Sequence, residues 1–298
     1  MHNMNELPSL PCYLNGEFTA LKDTKISVMD RGFIFGDGVY EGVPAYCGGL
    51  FRFAQHMARI DRSLAELRIA NPLSHAQWRD IATKLIADYA RSTGAETQKS
   101  DQLIYIQVTR GVAMREHVML DGLTPTVFVM SNAMKPVPPE LRSQGAACVT
   151  ASDFRWEKAH IKSTSLLGAV FARQISFDAG ALETVMFRDG FLSEAAASNV
   201  WVVKGDTVFG SPKDNLVLEG IRYGLIEEIC HAAGFGFELR RLSRDEVFDA
   251  DELLLSSATK EVLAITRLDG KSVGAGVPGP VYAKLYAGYQ QAKTMQST

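Results

Sequence analysis

The stretch Lys135-Pro136-Val137-Pro138-Pro139-Glu140 constrains this chain more than any other. Proline offers no backbone N–H to a sheet ladder and clashes inside a helix, so no regular element runs through it. With 298 residues, the chain is long enough for two domains with separate cores. The proline cluster predicts the boundary between a smaller N-terminal α/β domain over 1–134 and a larger C-terminal domain over 135–298. In the first, Asn15-Gly16 predicts a tight hairpin over 13–18 and Gly48-Gly49 a second hairpin. Gly32, Gly36 and Gly38 precede a strand over 39–43 and allow close backbone approach there. Phe53, Met57, Ile60, Leu64 and Leu67 form a helical stripe, and 75–93 forms a second helix with Trp78, Ile81, Leu85 and Tyr89 inward. Residues 103–109 and 126–130 read as buried strands. In the second, strands are expected at 149–152, 185–187, 199–203 and 253–257. Helices are expected over 220–233, stopped by Gly234, and over 281–294. Strands cluster within each half with helices beside them, which is the α+β class.

Composition excludes several functions. Hydrophobic residues make up 46% and charged residues 22%, an ordinary globular profile. The formal net charge of −3 argues for no nucleic-acid or membrane-surface partner. No apolar run approaches the ~20 residues that cross a bilayer. Cys12, Cys47, Cys148 and Cys230 lie far apart, without the spacing of a zinc site or a disulfide framework. His56, His117, His160 and His231 are scattered, so no metal is expected. Separate reduced thiols fit the cytoplasm. Residues 1–6 lack a basic region followed by an apolar one, so no signal peptide is expected.

Lys162 lies between the strand over 149–152 and a helix-like run carrying Leu166, Leu167, Val170 and Phe171 on one face. A lysine is nucleophilic when unprotonated, which needs desolvation or nearby cations. The apolar run would supply burial, and Arg155, Lys158 and His160 are possible positive neighbours. An ordinary surface lysine is the alternative. Ser193-Glu194-Ala195-Ala196-Ala197-Ser198-Asn199-Val200 places one carboxylate ahead of small residues between two β-like runs; a solvated hairpin Glu is the alternative.

Together with Asp30-Arg31-Gly32, the run 35–41 (FGDGVYE), Thr109-Arg110-Gly111, Arg115-Glu116-His117 and Ile161-Lys162-Ser163, these stretches make a specific signature. From 13–16 to 269–271 the chain resembles the class IV (fold type IV) aminotransferases, most closely the D-amino-acid branch. The resemblance implies a two-domain fold with the catalytic lysine in the larger domain, pyridoxal 5'-phosphate as cofactor, and a homodimer. Lys162 is then the residue joined to the cofactor and the general acid and base. Glu194 is implied to face the ring nitrogen, where a carboxylate favours the protonated form. Arg59 is implied to grip the phosphate through a two-pronged contact. Gly220, Ile221 and the residues around them are implied to present N–H groups to it. Ser257 and Ala258 match a second phosphate-binding turn. Ser198, Asn199 and Leu218 complete the implied cofactor contacts. Arg155 matches a contact to the ring hydroxyl, with a structural ion pair as the alternative. Tyr40, Arg115 and His117 are implied to hold the substrate carboxylate, with the 115–117 loop crossing over from a partner subunit.

The chain departs from its relatives at two places. Ala195, Ala196 and Ala197 replace a glycine and serines, so at least one hydroxyl is missing. Arg222 and Tyr223 replace threonine and arginine. Arg222 either reaches the phosphate or, the preferred picture, turns outward and leaves the N–H groups of Ile221 and Arg222 to bind. The implied reaction transfers an amino group from a D-alanine-like D-amino acid to 2-oxoglutarate. A branched-chain L-aminotransferase, an (R)-amine transaminase and an aminodeoxychorismate lyase are the alternatives on the same fold.

Overall fold

The structure is a computed structural model that describes residues 7–295, so residues 1–6, which bear on the signal-peptide reading, lie outside it. The chain divides into two units. One comprises residues 7–135 with Ile161–Ser165; the other comprises Pro136–His160 and Leu166–Met295.

The first unit is a six-stranded antiparallel sheet, in the order Glu17–Ala20, Pro11–Leu14, Thr126–Ala133, Gln102–Thr109, Gly38–Tyr46, Gly49–Leu50. Asn15 and Gly16 both take positive φ, 49° and 103°, as a two-residue turn matched to strand twist requires. Gly38–Tyr46 pairs with Gln102–Thr109 from Gly38↔Thr109 to Ala45↔Gln102. Side chains alternate across the sheet, so Val39, Val43, Ile104, Ile106 and Val108 share one buried face. Helices Phe53–Glu66 and His75–Thr93 cover that face, and Met57, Ile60, Leu64, Trp78 and Leu85 are almost wholly buried. Ser74 and Gln77 close a capping box at the start of the second helix, and Gly94 ends it at φ 70°. On the opposite face stand Tyr40, Tyr105 and Phe128, with ring centroids 5.9 and 6.4 Å apart in succession.

Ile161–Ser165 groups by its contacts with this unit, whereas the sequence places it in the C-terminal domain. The cause is a backbone pairing remote in sequence. Ser163 forms an antiparallel bridge with Val39, Tyr40 N–H donates to Lys162 O at 2.9 Å, and Thr164 N–H donates to Gly38 O at 2.9 Å.

The second unit holds a mixed nine-stranded sheet. Its order is Gly236–Leu239, Thr207–Gly210, Asn199–Lys204, Glu252–Ser257, Glu261–Leu268, Ala146–Ser152, Glu183–Arg188, Phe191–Ala195, with Lys271–Ser272 added to Glu261–Leu268. Ala146–Ser152 runs parallel to Glu183–Arg188, and the crossover includes helix Leu167–Asp178. Thr207–Gly210 is likewise parallel to Gly236–Leu239, joined through helix Arg222–Ala233. The central strands are buried on both sides: Leu253 and Leu255 enter one core, while Trp201 packs at a tilt against Tyr223, centroids 4.7 Å apart, on the other.

Two expectations change. The apolar face after Lys162 is turned outward: Leu167, Val170 and Phe171 are 68%, 59% and 59% exposed. The small residues Ala172 and Ser176 take the inward positions instead, and Thr184 Oγ1 donates to Ala172 O at 2.6 Å. The helix expected from Gly220 begins at Arg222 and ends, as expected, at Gly234 with φ 80°.

Candidate active site

Lys162 owes its position to backbone bonds. Besides the pairing with Tyr40, its own N–H donates to Ser63 Oγ at 3.2 Å. Its side-chain nitrogen stands 4.1 Å from the centroid of the Tyr40 ring, and Lys162 is half-buried. Tyr40 points from the sheet face that also carries Tyr105, whose hydroxyl donates to Gln107 at 2.7 Å. Burial and the neighbouring Tyr40 push the Tyr105 hydroxyl up to about 12.

Arg59 sits among charges that the sequence reading did not single out. Glu41 shares strand parity with Val39 and Val43, so it points into the helix-covered core and is fully buried. Helical spacing puts His56, Arg59 and Ser63 in one stripe beside the apolar one. Arg59 donates through Nε to Glu41 Oε1 at 2.7 Å and through Nη2 to Oε2 at 3.0 Å. His56 Nδ1 lies 2.5 Å from the same Oε2. Burial alone would raise the Glu41 carboxyl, but Arg59 and His56 outweigh it and hold it far below the usual range.

Arg115 and His117 meet over one ring. The Arg115 guanidinium is 5.3 Å from the centroid of Phe35, and the His117 ring is 5.3 Å from the same centroid. Both are exposed, and both lie against Phe35. Arg31 anchors their loop by donating to Glu116 O. Asp37 holds Arg31 at 2.8 Å and Arg110 at 2.7 and 3.1 Å.

In the second unit the organising charge is Glu194, 6% exposed. It accepts from Arg155 Nη1 at 2.6 Å, Asn199 Nδ2 at 3.1 Å and Leu218 N–H at 3.3 Å. Asn199 also donates to Leu218 O at 2.9 Å, which ties strand, turn and loop together. Gly220 closes this corner: a Cβ there would lie 2.1 Å from Asn199 Oδ1. Burial pushes the Glu194 carboxyl up, against the pull of Arg155. Arg155 forms ion pairs with both Glu194 and Asp153. Asp153 takes its Nε at 2.9 Å, its Nη2 at 3.0 Å and its backbone N–H at 3.1 Å. Asp153 was missed by the sequence reading. Its signal is the carboxylate two residues before Arg155, placed to accept that residue's own N–H.

Ser198 donates to Glu183 Oε1 at 3.0 Å, and Lys260 donates to the same oxygen at 2.7 Å. Lys260 N–H donates to Ser257 Oγ at 3.1 Å, so the turn at Ser257 and Ala258 is linked through Glu183 to Ser198. The preferred picture, in which the Arg222 side chain turns outward, does not hold. That residue is 2% exposed and turns inward, with Nε 3.1 Å and Nη2 2.8 Å from Tyr289 Oη. Ile221 and Arg222 start a 12-residue helix, so their N–H groups lie where backbone donors have no intrahelical partner.

The donor set is specific. The first unit supplies a lysine amine on a fixed backbone and a guanidinium with a buried counter-charge. The second supplies a buried carboxylate and helix-terminal N–H groups beside a glycine that tolerates no side chain. These are the chemistries needed to bond an aldehyde, grip a phosphate and accept from a protonated ring nitrogen, so the residues fit pyridoxal phosphate.

The family model for amino-transferase class IV matches residues 38–268. The D-alanine aminotransferase of Bacillus licheniformis is 34% identical over 278 residues, which cover 93% of this chain and 95% of that protein. The D-alanine aminotransferase of Listeria monocytogenes is 33% identical over 276 residues, 92% of each chain. Among solved structures, the branched-chain aminotransferase of Thermoproteus uzoniensis with norvaline matches with a TM-score of 0.84 at 21% identity, covering 95% of this chain and 94% of that one. The Escherichia coli branched-chain enzyme matches at 0.82 and 23%, covering 94% and 93%. A further branched-chain amino acid aminotransferase, solved with pyridoxamine 5'-phosphate, matches at 0.86 and 23%, covering 97% and 96%. At that identity the three structures speak for the fold, and the fold is type IV. The chain belongs to the class IV amino-transferases and is a pyridoxal-phosphate-dependent aminotransferase acting on amino and 2-oxo acids.

Proposed function

We propose that the enzyme moves the amino group of a D-alanine-like D-amino acid to 2-oxoglutarate, giving a 2-oxo acid and D-glutamate. The observation that carries this reading is the pair Arg115 and His117, gathered on Phe35 at the exposed end of a loop. An arginine fork with an imidazole donor beside it suits an α-carboxylate, and fixing that group decides which face of the α-carbon meets the base. The similarity to two D-alanine aminotransferases supports the same branch.

When bound, pyridoxal phosphate supplies the electron sink. Lys162 Nζ is the amine that holds its aldehyde carbon, and it takes the α-proton of the substrate and returns it. The bonds from Tyr40 N–H and to Ser63 Oγ fix the Lys162 backbone while its side chain moves that proton. Glu194 accepts from the ring nitrogen, Arg59 and the N–H groups of Ile221 and Arg222 take the phosphate, and Tyr40 adds a hydroxyl donor for the substrate carboxylate. A homodimer in the cytoplasm is part of the proposal. The exposed Leu167, Val170, Phe171 and Phe177 offer an apolar surface for a second copy, to be checked by light scattering.

The test is a spectrum of the purified protein before and after D-alanine, then L-leucine, with and without 2-oxoglutarate. D-alanine alone should convert the cofactor band, and pyruvate should accumulate only with 2-oxoglutarate. Lys162→Ala should abolish turnover. Conversion by L-leucine with none by D-alanine would replace this reading with the branched-chain one.

A further inference from the structure

We propose that Glu41 and His56 are positioning residues for phosphate recognition: they fix the guanidinium of Arg59 from behind, so that the phosphate meets a donor already oriented. This rests on the reading of Arg59 as a phosphate ligand. Glu41 and His56 are 0% exposed, so neither presents itself to solvent, whereas Arg59 is 6% exposed. The fork from Nε at 2.7 Å and Nη2 at 3.0 Å sets both the distance and the plane of the guanidinium. His56 Nδ1, 2.5 Å from Oε2, fixes the carboxylate in turn. All three side chains stand on rigid elements, Glu41 on strand Gly38–Tyr46 and the others one turn apart on helix Phe53–Glu66.

Two effects oppose each other, and their balance gives the test its sign. A carboxylate beside Arg59 partly cancels the charge that attracts a phosphate, so on electrostatics alone Glu41→Gln strengthens phosphate binding. It also orders a long side chain that otherwise loses rotamer freedom on binding, so on positioning Glu41→Gln weakens it. Burial decides for positioning. At 6% exposure, a guanidinium deprived of its fork swings to other acceptors and leaves the phosphate position.

Full-length protein is titrated with pyridoxal phosphate and, separately, with pyridoxal, which lacks the phosphate; bound chromophore is read by absorbance. Glu41→Gln and His56→Leu should weaken pyridoxal phosphate about 10- to 100-fold, the loss typical when a partner that orients a ligand-binding side chain is removed, with pyridoxal unchanged. His56→Gln, which keeps a donor, should recover part of the loss. Binding of pyridoxal phosphate as tight as wild type or tighter in Glu41→Gln overturns the proposal, as does an equal loss for both ligands. Arg59→Gln, which removes the cation, separates the two layers. If it spares phosphate selectivity, the reading of Arg59 fails and the proposal with it; if it destroys selectivity while Glu41→Gln does not, the proposal alone fails. Should Glu41→Gln not fold by near-ultraviolet dichroism, Glu41→Asp, which keeps the charge and shortens the reach, decides by the same criteria.

Discussion

Asp153→Asn removes one charge from behind Arg155 and changes almost nothing else in shape. The wild-type carboxylate has no exposed side-chain surface and accepts Arg155 Nε at 2.9 Å and Nη2 at 3.0 Å, with Arg188 Nη2 3.4 Å away. An asparagine offers one acceptor oxygen and two donors, so half of the fork is lost and a donor faces a donor. Unit charges about 4 Å apart attract by about 4 kcal/mol at an effective dielectric near 20. Arg155 keeps Glu194 at 2.6 Å and its side chain is 12% exposed, which sets the expected cost near the low end of a broken buried pair, about 3 kcal/mol. At about 2–4 °C per kcal/mol for a protein of this size, the midpoint falls by about 6–12 °C. Scanning calorimetry reads it. A second signature separates charge from packing: Arg155 without Asp153 turns more fully to Glu194, so Glu194→Gln should cost more in the Asp153→Asn background. The double-mutant cycle should show coupling of about 1 kcal/mol. A midpoint change under about 1 °C, or a cycle that closes additively, would refute the assignment of Asp153 as the residue that holds Arg155.

Burial raises the Asp37 carboxyl, but Arg31 and Arg110 outweigh it and lower it below the ordinary range. Its stabilisation is thus full above the unfolded value near 4 and lost as pH falls through the folded one; Asp37→Asn should cost about 2 kcal/mol in urea at pH 7 and less at pH 3, and an equal cost at both would sink the idea. Gly220→Ala puts a Cβ 2.1 Å from Asn199 Oδ1. It should destabilise by about 1–3 kcal/mol in chemical melts and displace the donor that Asn199 gives to Glu194, and a neutral result would show that the corner relaxes freely. Burial pushes the Cys148 and Cys230 thiols up to about 12, whereas Cys47 is exposed. Ellman's reagent should therefore label one thiol rapidly in the native protein and none in Cys47→Ser; two rapid thiols would contradict this burial.

What could be read from the sequence was what local periodicity encodes. The hairpin at Asn15-Gly16, the stripe from Phe53 to Leu67 and the helix His75–Thr93 follow from spacing and turn chemistry, and the structure has them. Glu41 was legible in principle, since its parity with Val39 and Val43 points it inward, and a buried carboxylate needs a cation close by. Periodicity failed where it shows an apolar face without showing what lies against it, as in helix Leu167–Asp178, whose large residues face outward. It failed again where partners are distant. Arg222 reads as a phosphate residue or a surface residue, and only packing against helix Pro280–Met295 brings Tyr289 to its guanidinium. The pairing of Ser163 with Val39, which sets Lys162, spans more than a hundred residues and leaves no local trace.

Each unit solves the same problem, that of keeping one charge where water is scarce. In the first, His56, Glu41 and Arg59 form a chain ending on a guanidinium; in the second, Asp153, Arg155 and Glu194 form one ending on a carboxylate. An isolated buried ion would neutralise itself by shifting its pKa, and an isolated pair would turn wholly inward. A third member of the opposite sign to the middle one prevents both. It shares the middle charge with the terminal group. Arg59 at the end of one chain suits an anion such as a phosphate, and Glu194 at the end of the other suits a cation such as a protonated ring nitrogen. Exchanging either middle residue for a neutral isostere should therefore damage binding more than its distance from any ligand suggests.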